Sequence, residues 1–321
     1  MKTAPLGSSG PDISRLGIGG WQASGPGPWG SGPRSNDDEA IAAIRHAVES
    51  GVTWVDTAAS YGLGHSEEMV ARALRPWRIG EDVFVFTKCG HPWDPPDRIR
   101  TDLTPASIRR ECEGSLKRLG VERIDLYQFH HADPSTPVEE SWGTMAQLVE
   151  EGKVRWAGVS NFDVGLLERC ESIRHVDCLQ PELSLLRRRA RQDVIPWCRA
   201  HGTGVIAYSP MASGLLSGAY DRTRLEQLAA NDRRDARADQ ILDVVDRLRS
   251  VADRLGIGVG ALAVAWTLTA EGVTGAICGA RRRDQVDGWI VAADVVLDVI
   301  SFSHSGEPSL GTAFGWDEER T

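Results

Sequence analysis

Eight short β-type runs alternate with helix-period stretches along most of this chain, and that alternation constrains its fold more than any other feature. The runs are Leu16–Gly20, Trp54–Thr57, Val83–Lys88, Ile124–Phe129, Val154–Ser160, Cys178–Gln180, Gly204–Ser209 and Thr274–Gly279. Helical segments lie near Asn36–Ser50, Ser66–Arg75, Pro105–Leu119, Val138–Glu151, Val164–Ser172, Arg188–His201, Asp239–Leu255 with Val259–Thr269, and Asp284–Ala293. Strand–helix repetition of this kind builds a parallel sheet. Eight such units over ~280 residues is the count of a (β/α)8 TIM barrel. A doubly wound sheet would want a GxGxxG turn opening a helix after its first strand. Leu16-Gly17-Ile18-Gly19-Gly20-Trp21 has glycines without that spacing and without a helix directly behind them.

Local signals agree with this reading. Ser35-Asn36-Asp37-Asp38-Glu39 offers a cap and first-turn acids, and Thr104-Pro105 puts proline at the first helical position. Leu6-Gly7-Ser8-Ser9-Gly10, between two short β-like pieces, predicts an N-terminal β-hairpin closing the barrel bottom. Residues 1–321 therefore read as one barrel domain. The arginine-rich stretch Asp221–Asp239 reads as an exposed loop, and the tail after Ser303 as loosely ordered.

Composition narrows the function class. The chain is 41% apolar and 25% charged with a net charge of −9, which suits a soluble globular protein and argues against a nucleic-acid partner. The N-terminus lacks an apolar signal region and no run of 18 apolar residues occurs, so the expectation is a cytoplasmic protein without a membrane partner. Six scattered cysteines without metal-type spacing read as reduced thiols, and no metal site is expected. Only Lys2, Lys88, Lys117 and Lys153 among 36 basic residues are lysines. Each is a place to look for chemistry that arginine, whose pKa does not shift, cannot perform.

In a barrel of this kind the active site lies at the C-terminal ends of the strands. Those ends carry Asp56, Lys88, His130, Ser160, Asn161, Gln180, Tyr208 and Ser209, with Tyr61 five residues beyond Asp56 in a glycine-flanked loop. A structural polar ring around the mouth is the plain alternative. A lysine near a tyrosine favours the phenolate, and an aspartate holds that lysine in place. A phenol brought toward neutrality is a competent proton donor, and a histidine can hydrogen-bond a developing oxyanion. These are the tools for turning a carbonyl into an alcohol. No nucleophile–base pair accompanies them, so hydride must come from a cofactor.

At these residues the chain resembles the aldo-keto reductases, and the likeness runs from Leu6 to about Ala293. It is carried by Val55-Asp56-Thr57-Ala58-Ala59-Ser60-Tyr61-Gly62, Phe86-Thr87-Lys88-Cys89-Gly90 and Ile124-Asp125-Leu126-Tyr127-Gln128-Phe129-His130. Gly152-Lys153-Val154-Arg155-Trp156-Ala157-Gly158-Val159-Ser160-Asn161-Phe162 follows, then Ala207-Tyr208-Ser209-Pro210-Met211-Ala212-Ser213-Gly214-Leu215-Leu216-Ser217-Gly218, then Ile277-Cys278-Gly279-Ala280-Arg281. The wording is more like the bacterial sugar- and inositol-linked reductases and the potassium-channel β-subunits than like mammalian aldose reductases.

The resemblance implies a catalytic tetrad of Asp56, Tyr61, Lys88 and His130, with Tyr61 as general acid. It implies that Ser160, Asn161 and Gln180 bind the nicotinamide carboxamide, that Tyr208 stacks on the ring, and that Gly20 and Trp21 sit near its reactive end. Ser209, Pro210, Met211, Ala212, Gly214, Leu215 and Ser217 would wrap the pyrophosphate; Gly279, Ala280, Arg281, Arg282 and Gln285 would reach the 2′-phosphate end. The implied cofactor is NADPH, with NADH as the second choice. Trp289 stands where the family has an asparagine for adenine, and Leu183 where relatives often have tyrosine. Trp21, Trp29, Trp93 and His131 are the candidate substrate-pocket residues, with His91–Pro96 as a specificity loop. The implied reaction is reduction of an aldehyde or ketone. Oxidation of a sugar or polyol, and a cofactor-binding regulatory subunit with slow turnover, are the competing readings; homo-oligomerisation is left open.

Overall fold

A computed structural model describes residues 1–25, 36–94, 98–220, 223 and 238–297. Its first two strands, β1 (Thr3–Pro5) and β2 (Asp12–Ser14), form an antiparallel hairpin. Eight parallel strands then close into a barrel: β3 (Leu16–Gly19), β4 (Trp54–Asp56), β5 (Phe84–Cys89), β8 (Ile124–Phe129), β9 (Val154–Ser160), β10 (Cys178–Gln180), β11 (Gly204–Ala207) and β12 (Gly275–Gly279). Between β5 and β8 a second small hairpin pairs β6 (Trp93–Asp94) with β7 (Arg98–Ile99). The expected strands are all present, most within a residue of their expected ends. The seventh is shorter, because Ser209 takes a left-handed φ of 54° that no strand accommodates.

The helices are α1 (Asp37–Glu49), α2 (His65–Leu74), α3 (Pro105–Leu119), α4 (Val138–Glu150), α5 (Val164–Glu171), α6 (Val194–His201), α7 (Ala238–Leu255), α8 (Val259–Leu268) and α9 (Arg283–Ile290). Asn36 and Thr104 cap α1 and α3 through their side chains, and Gly120 ends α3 at φ 68°. The expected helix Arg188–His201 is instead a 3-10 turn at Arg189–Arg191 followed by α6. Pro196 explains the break. With no N–H to give the carbonyl four residues earlier, it fits only in a first turn, and Asp193 caps that turn by accepting from Val194 N. The last helix likewise ends at Ile290 and continues as a 3-10 turn, Val291–Asp294. Most of the Asp221–Asp239 loop and the tail after Ser303 lie outside the described residues.

Strand periodicity layers the barrel interior. Side chains two apart share a face, so Trp54, Phe86, Leu126 and Cys178 point inward in a lower, apolar layer with Ile206 and Ile277. Hairpin residues Leu6 and Ile13 join this cluster, plugging the N-terminal ends of the strands. Trp54 stacks on Phe86 with centroids 5.3 Å apart and donates its Nε1–H to Ser14 O at 2.8 Å. Its ring needs bare backbone opposite: a Cβ on Gly17 would lie 2.3 Å from it. Two residues further along the same strands, above this apolar floor, come Asp56, Lys88, Gln128 and Gln180. Two larger clusters pack the helices onto the outside of the barrel. Trp289 and Leu183 are both buried in them, so each is a packing residue here. All six cysteines are buried and free. Among the described residues, no single helix is long and apolar enough to cross a membrane.

Candidate active site

The upper layer converges on one buried ion pair. Lys88 Nζ donates to Asp56 Oδ1 at 2.5 Å and to Thr57 O at 3.0 Å. The other carboxylate oxygen accepts from Gln180 Nε2 at 2.9 Å and, at 3.4 Å, from Gln128 Nε2. Lys88 and Asp56 are 1% and 3% exposed, so neither charge is solvated. Burial pulls the Lys88 ammonium below its usual range, and the adjacent Asp56 charge opposes that fall. Such a pair holds because its charges face each other and further hydrogen bonds, one on the lysine and two on the aspartate, surround it.

Tyr61 and His130 sit beside the pair. Lys88 Nζ lies 5.3 Å from the Tyr61 ring centroid, and the Tyr61 and His130 rings meet edge-on at 5.5 Å. Tyr61 is carried by a tight turn in which Gly62, Leu63 and Gly64 all have positive φ, ending at the start of α2. Ser60 Oγ lies 3.5 Å from His130 Nδ1. The tetrad expected from the sequence is thus brought together around one space. The expected acidification of the phenol is not present. Burial, then the Asp56 charge, pushes the Tyr61 phenol well above its ordinary value. Burial first, and then the Lys88 charge and the neighbouring histidines, holds His130 far below its usual range. At neutral pH the site therefore presents a protonated phenol and a neutral imidazole.

A cavity of about 280 Å³ opens over these groups. Of the candidate residues, Asp56, Tyr61, His130, His131, Trp21, Ser160, Asn161, Gln180, Tyr208, Ser209, Pro210, Met211, Gly214 and Gly279 line it. Ser213, inside the Ser209–Gly218 loop expected to wrap the pyrophosphate, lines it as well; Gly19, Gln22 and Ile277 line it too, and sequence reasoning missed them. Gln22 gave no signal. Gly19 ends β3, and Ile277 lies in the middle of β12, two residues before the lining Gly279 and on the same face. Gln128, the missed partner of Asp56, was legible: it stands two residues before His130 and so faces inward.

The amide end of the cavity is cross-linked. Tyr208 Oη donates to Asn161 Oδ1 at 2.9 Å, Asn161 Nδ2 donates to His130 O and to Ser160 Oγ at 3.0 Å each, and Ser160 Oγ donates to Gln180 O at 2.8 Å. Asn161, Ser209, Ala212 and Ser213 hold left-handed φ values of 49° to 60°. Strain of this kind persists where the surroundings enforce it, and it clusters at binding sites. Here it presents loop backbone between Ser209 and Gly214 to the cavity.

Several candidates stand elsewhere. Lys88 lies beneath the lining and Gly20 is buried, its N–H on Asp56 O at 2.7 Å. Ala212 and Ala280 are buried in the core, Leu215 packs against it, and Ser217 Oγ accepts from Ala219 N. Trp93 does not line the cavity: its place in β6 lays the ring over the Arg118 guanidinium at 5.5 Å. Trp29 lies outside the described residues. Arg281 is at the α9 end with Nε on Gln22 O at 3.2 Å, and its N–H goes to Gln285 Oε1 at 2.7 Å. Arg282 forks onto the Asp284 carboxylate at 3.0 and 2.8 Å. The arginines expected at the phosphate end thus have protein partners, which offsets the helix-end repulsion a bare arginine run would suffer.

The residues fit a nicotinamide dinucleotide. A phenol wall and a set of amides border one side of the cavity, and small left-handed residues border another. Among the described residues no group of three histidine, cysteine or acidic side chains could hold a metal ion.

Comparison with known proteins points the same way. The aldo/keto reductase family profile matches residues 15–304. The chain is 32% identical over 313 residues to the aldo-keto reductase YhdN of Bacillus subtilis, covering 93% of this chain and 92% of that one. It is also 32% identical over 316 residues to the NADH-specific methylglyoxal reductase of Escherichia coli, covering 92% and 95%. Among solved structures, the glycerol dehydrogenase AKR11B4 from Gluconobacter oxydans superposes with a TM-score of 0.81 at 33% identity, over 92% of this chain and 90% of that one. The holo form of AKR11C1 from Bacillus halodurans gives 0.77 at 25% identity, over 94% of both.

Proposed function

This chain belongs to the aldo/keto reductase family and is an NAD(P)H-dependent oxidoreductase of carbonyl compounds, and from that premise we propose that Tyr61 is the proton donor of the reduction, with Lys88, Asp56 and His130 as its support. The observation that carries the reading is the dry Asp56–Lys88 pair lying beside Tyr61 and His130 under one cavity.

A reduced nicotinamide bound in that cavity would supply the hydride for the carbonyl carbon. The electron pair of the C=O π bond moves onto oxygen, which takes the phenolic proton of Tyr61 and becomes a hydroxyl. An acid for this step has to be protonated beforehand, and the burial of Tyr61 keeps it so. Tyrosinate forms only as the proton leaves, and the Lys88 ammonium stabilises it at that moment, so the stabilisation is concentrated in the transition state. His130, neutral at working pH, hydrogen-bonds the same oxygen from the other side. Asp56 holds Lys88 and lowers its mobility rather than touching substrate. Ser160, Asn161, Gln180 and Tyr208 would hold the nicotinamide, and the Ser209–Gly214 backbone would bind phosphate oxygens.

Arg281 and Arg282 support a preference for NADPH, and the Asp284 carboxylate on Arg282 makes that preference modest, because a 2′-phosphate has to compete with it. The protein works as a single cytoplasmic barrel on small molecules. Methylglyoxal and glycerol, the compounds for which two of the relatives are named, carry oxygens on adjacent carbons. Small α-oxygenated carbonyl compounds are therefore the class to try first, and the same residues run the oxidation of the matching alcohol in reverse.

The test is to mix purified protein with NADPH or NADH and a panel of aldehydes and ketones, following loss of the nicotinamide absorbance. Turnover of short aldehydes is the expected result. Tight cofactor binding with no turnover of any member would contradict the reading.

A further inference from the structure

Behind the turn that carries Tyr61 lies a second buried ion pair, which the proton-transfer scheme does not use. We propose that Glu67 and Arg118 are positioning residues for Tyr61: their pair clamps the phenol-bearing turn against the strand that carries Lys88. The proposal rests on Tyr61 being the proton donor and names what holds it in place.

Glu67 stands in the first turn of α2, and its side chain is fully buried. One carboxylate oxygen accepts from Thr87 Oγ1 at 2.6 Å and the other from Arg118 Nε at 2.6 Å. Thr87 precedes Lys88 in β5, so its side chain points out of the barrel where that of Lys88 points in. A single carboxylate thus joins α2, β5 and, through Arg118, the last turn of α3. The helix start that it fixes is tied in turn to Tyr61. Ser66 N donates to Tyr61 O at 3.2 Å, and the Ser66 and Thr57 hydroxyls lie 2.8 Å apart. Gly64, the cap of α2 at φ 95°, leaves room for the arginine: a Cβ there would lie 2.6 Å from Arg118 Cδ. On the guanidinium lies the Trp93 ring of the β6 hairpin, at 5.5 Å.

Glu67, Thr87, Arg118 and Trp93 do not line the cavity, so they act on the reaction only through what they hold. An ion pair with a fully buried member contributes little net stability, since apolar side chains of similar volume often serve as well there. What it supplies instead is direction. Charge-assisted hydrogen bonds are short and angle-dependent, so a carboxylate gripped from two sides fixes α2 against β5. Apolar side chains in the same place would pack in several arrangements and lose uniqueness before stability. That precision matters at Tyr61, because an acid displaced by about 1 Å from its productive place loses about a hundredfold in rate.

Single-turnover reduction of an aldehyde by the NADPH-loaded protein reads the acid step, and cofactor titration reads the cavity. Arg118→Met should slow the reductive step about tenfold to a hundredfold while NADPH affinity stays within about twofold. Glu67→Gln, which keeps the shape and the acceptor for Thr87 but loses the charge, should slow it in the same direction and by less. The decisive comparison repeats Arg118→Met in a Tyr61→Phe background. With no hydroxyl left to position, the residual rate should change by less than about twofold. Reductive rates within about twofold of wild type in both single variants overturn the proposal, and Glu67→Gln alone decides if Arg118→Met does not fold. An equal loss from Arg118→Met with and without Tyr61→Phe overturns the positioning role as well, because a general loosening of the fold acts in both backgrounds. A Tyr61→Phe protein that reduces aldehydes at the wild-type rate contradicts the proton-donor reading itself, which separates the two failures.

Discussion

Replacing Lys88 by methionine tests the buried pair at the heart of the site. Lys88 Nζ is 2.5 Å from Asp56 Oδ1, with both residues at most 3% exposed. At an effective dielectric near 20 two unit charges at that distance attract by about 7 kcal/mol. Removing both from water costs several kcal/mol each, so the intact pair contributes little net stability. Removing one partner is different. Lys88→Met leaves the Asp56 carboxylate buried with only the Gln180 and Gln128 amides, and the expected destabilisation is about 3–5 kcal/mol. Asp56→Asn should also destabilise, because the Lys88 ammonium keeps only Thr57 O among these bonds. The double variant removes both charges, and its cost should fall short of the sum by roughly 0.5–3 kcal/mol. Urea unfolding followed by tryptophan fluorescence measures all three. Lys88→Arg should not rescue, because a planar guanidinium cannot occupy the ammonium's place under Tyr61. A Lys88→Met cost below about 1 kcal/mol, or strict additivity in the double variant, would refute the coupled-pair argument.

Three further outcomes follow from the structure. Asp284→Asn should free the Arg282 fork and tighten NADPH binding while leaving NADH unchanged, with Arg282→Ala doing the opposite for NADPH; fluorescence quenching on cofactor titration reads both, and equal effects on the two cofactors would contradict a 2′-phosphate role. Burial raises the Glu111 carboxyl to about 7, so its stabilising neutral form is complete below the ordinary carboxyl range and is lost as pH rises through 7. Glu111→Gln should therefore match wild type near about pH 4 and exceed it by about 3 kcal/mol above about pH 8; equal stability at both ends would sink the assignment. Gly17→Ala puts a Cβ 2.3 Å from the Trp54 ring, and the overpacked barrel floor should lose about 1–3 kcal/mol or more in a thermal melt.

Much of this was legible in the residue order. Strand positions came through because β-type runs such as Ile124–Phe129 are short, bounded and directly followed by capped helices. That Asp56, Tyr61, Lys88 and His130 come together could be read because a closed parallel barrel gathers every strand's C-terminal end at one mouth. What escaped depends on partners distant in sequence. The phenol's pKa was misjudged because the charge of Lys88 was counted without the burial of the ring and, after it, the charge of Asp56, both of which raise it. Arg282 reads as a phosphate ligand until Asp284 is seen to hold its fork. Trp93 reads as a pocket wall until its β6 position lays it on Arg118. The Arg188–His201 break was visible in Pro196, whose constraint the helical periodicity overrode. The His91–His131 bond joins residues 40 apart, and no local pattern announces it.

The central claim is that Tyr61 gives up the proton, and Tyr61→Phe tests it most directly. The substitution removes one hydroxyl and keeps the ring packed against His130. Single-turnover reduction of an aldehyde, measured beside NADPH affinity by fluorescence quenching, should show the reductive step slowed by roughly 10²–10⁴-fold with cofactor affinity nearly unchanged. A reductive step close to the wild-type rate would contradict the account, and the acid would then have to be sought elsewhere in the cavity.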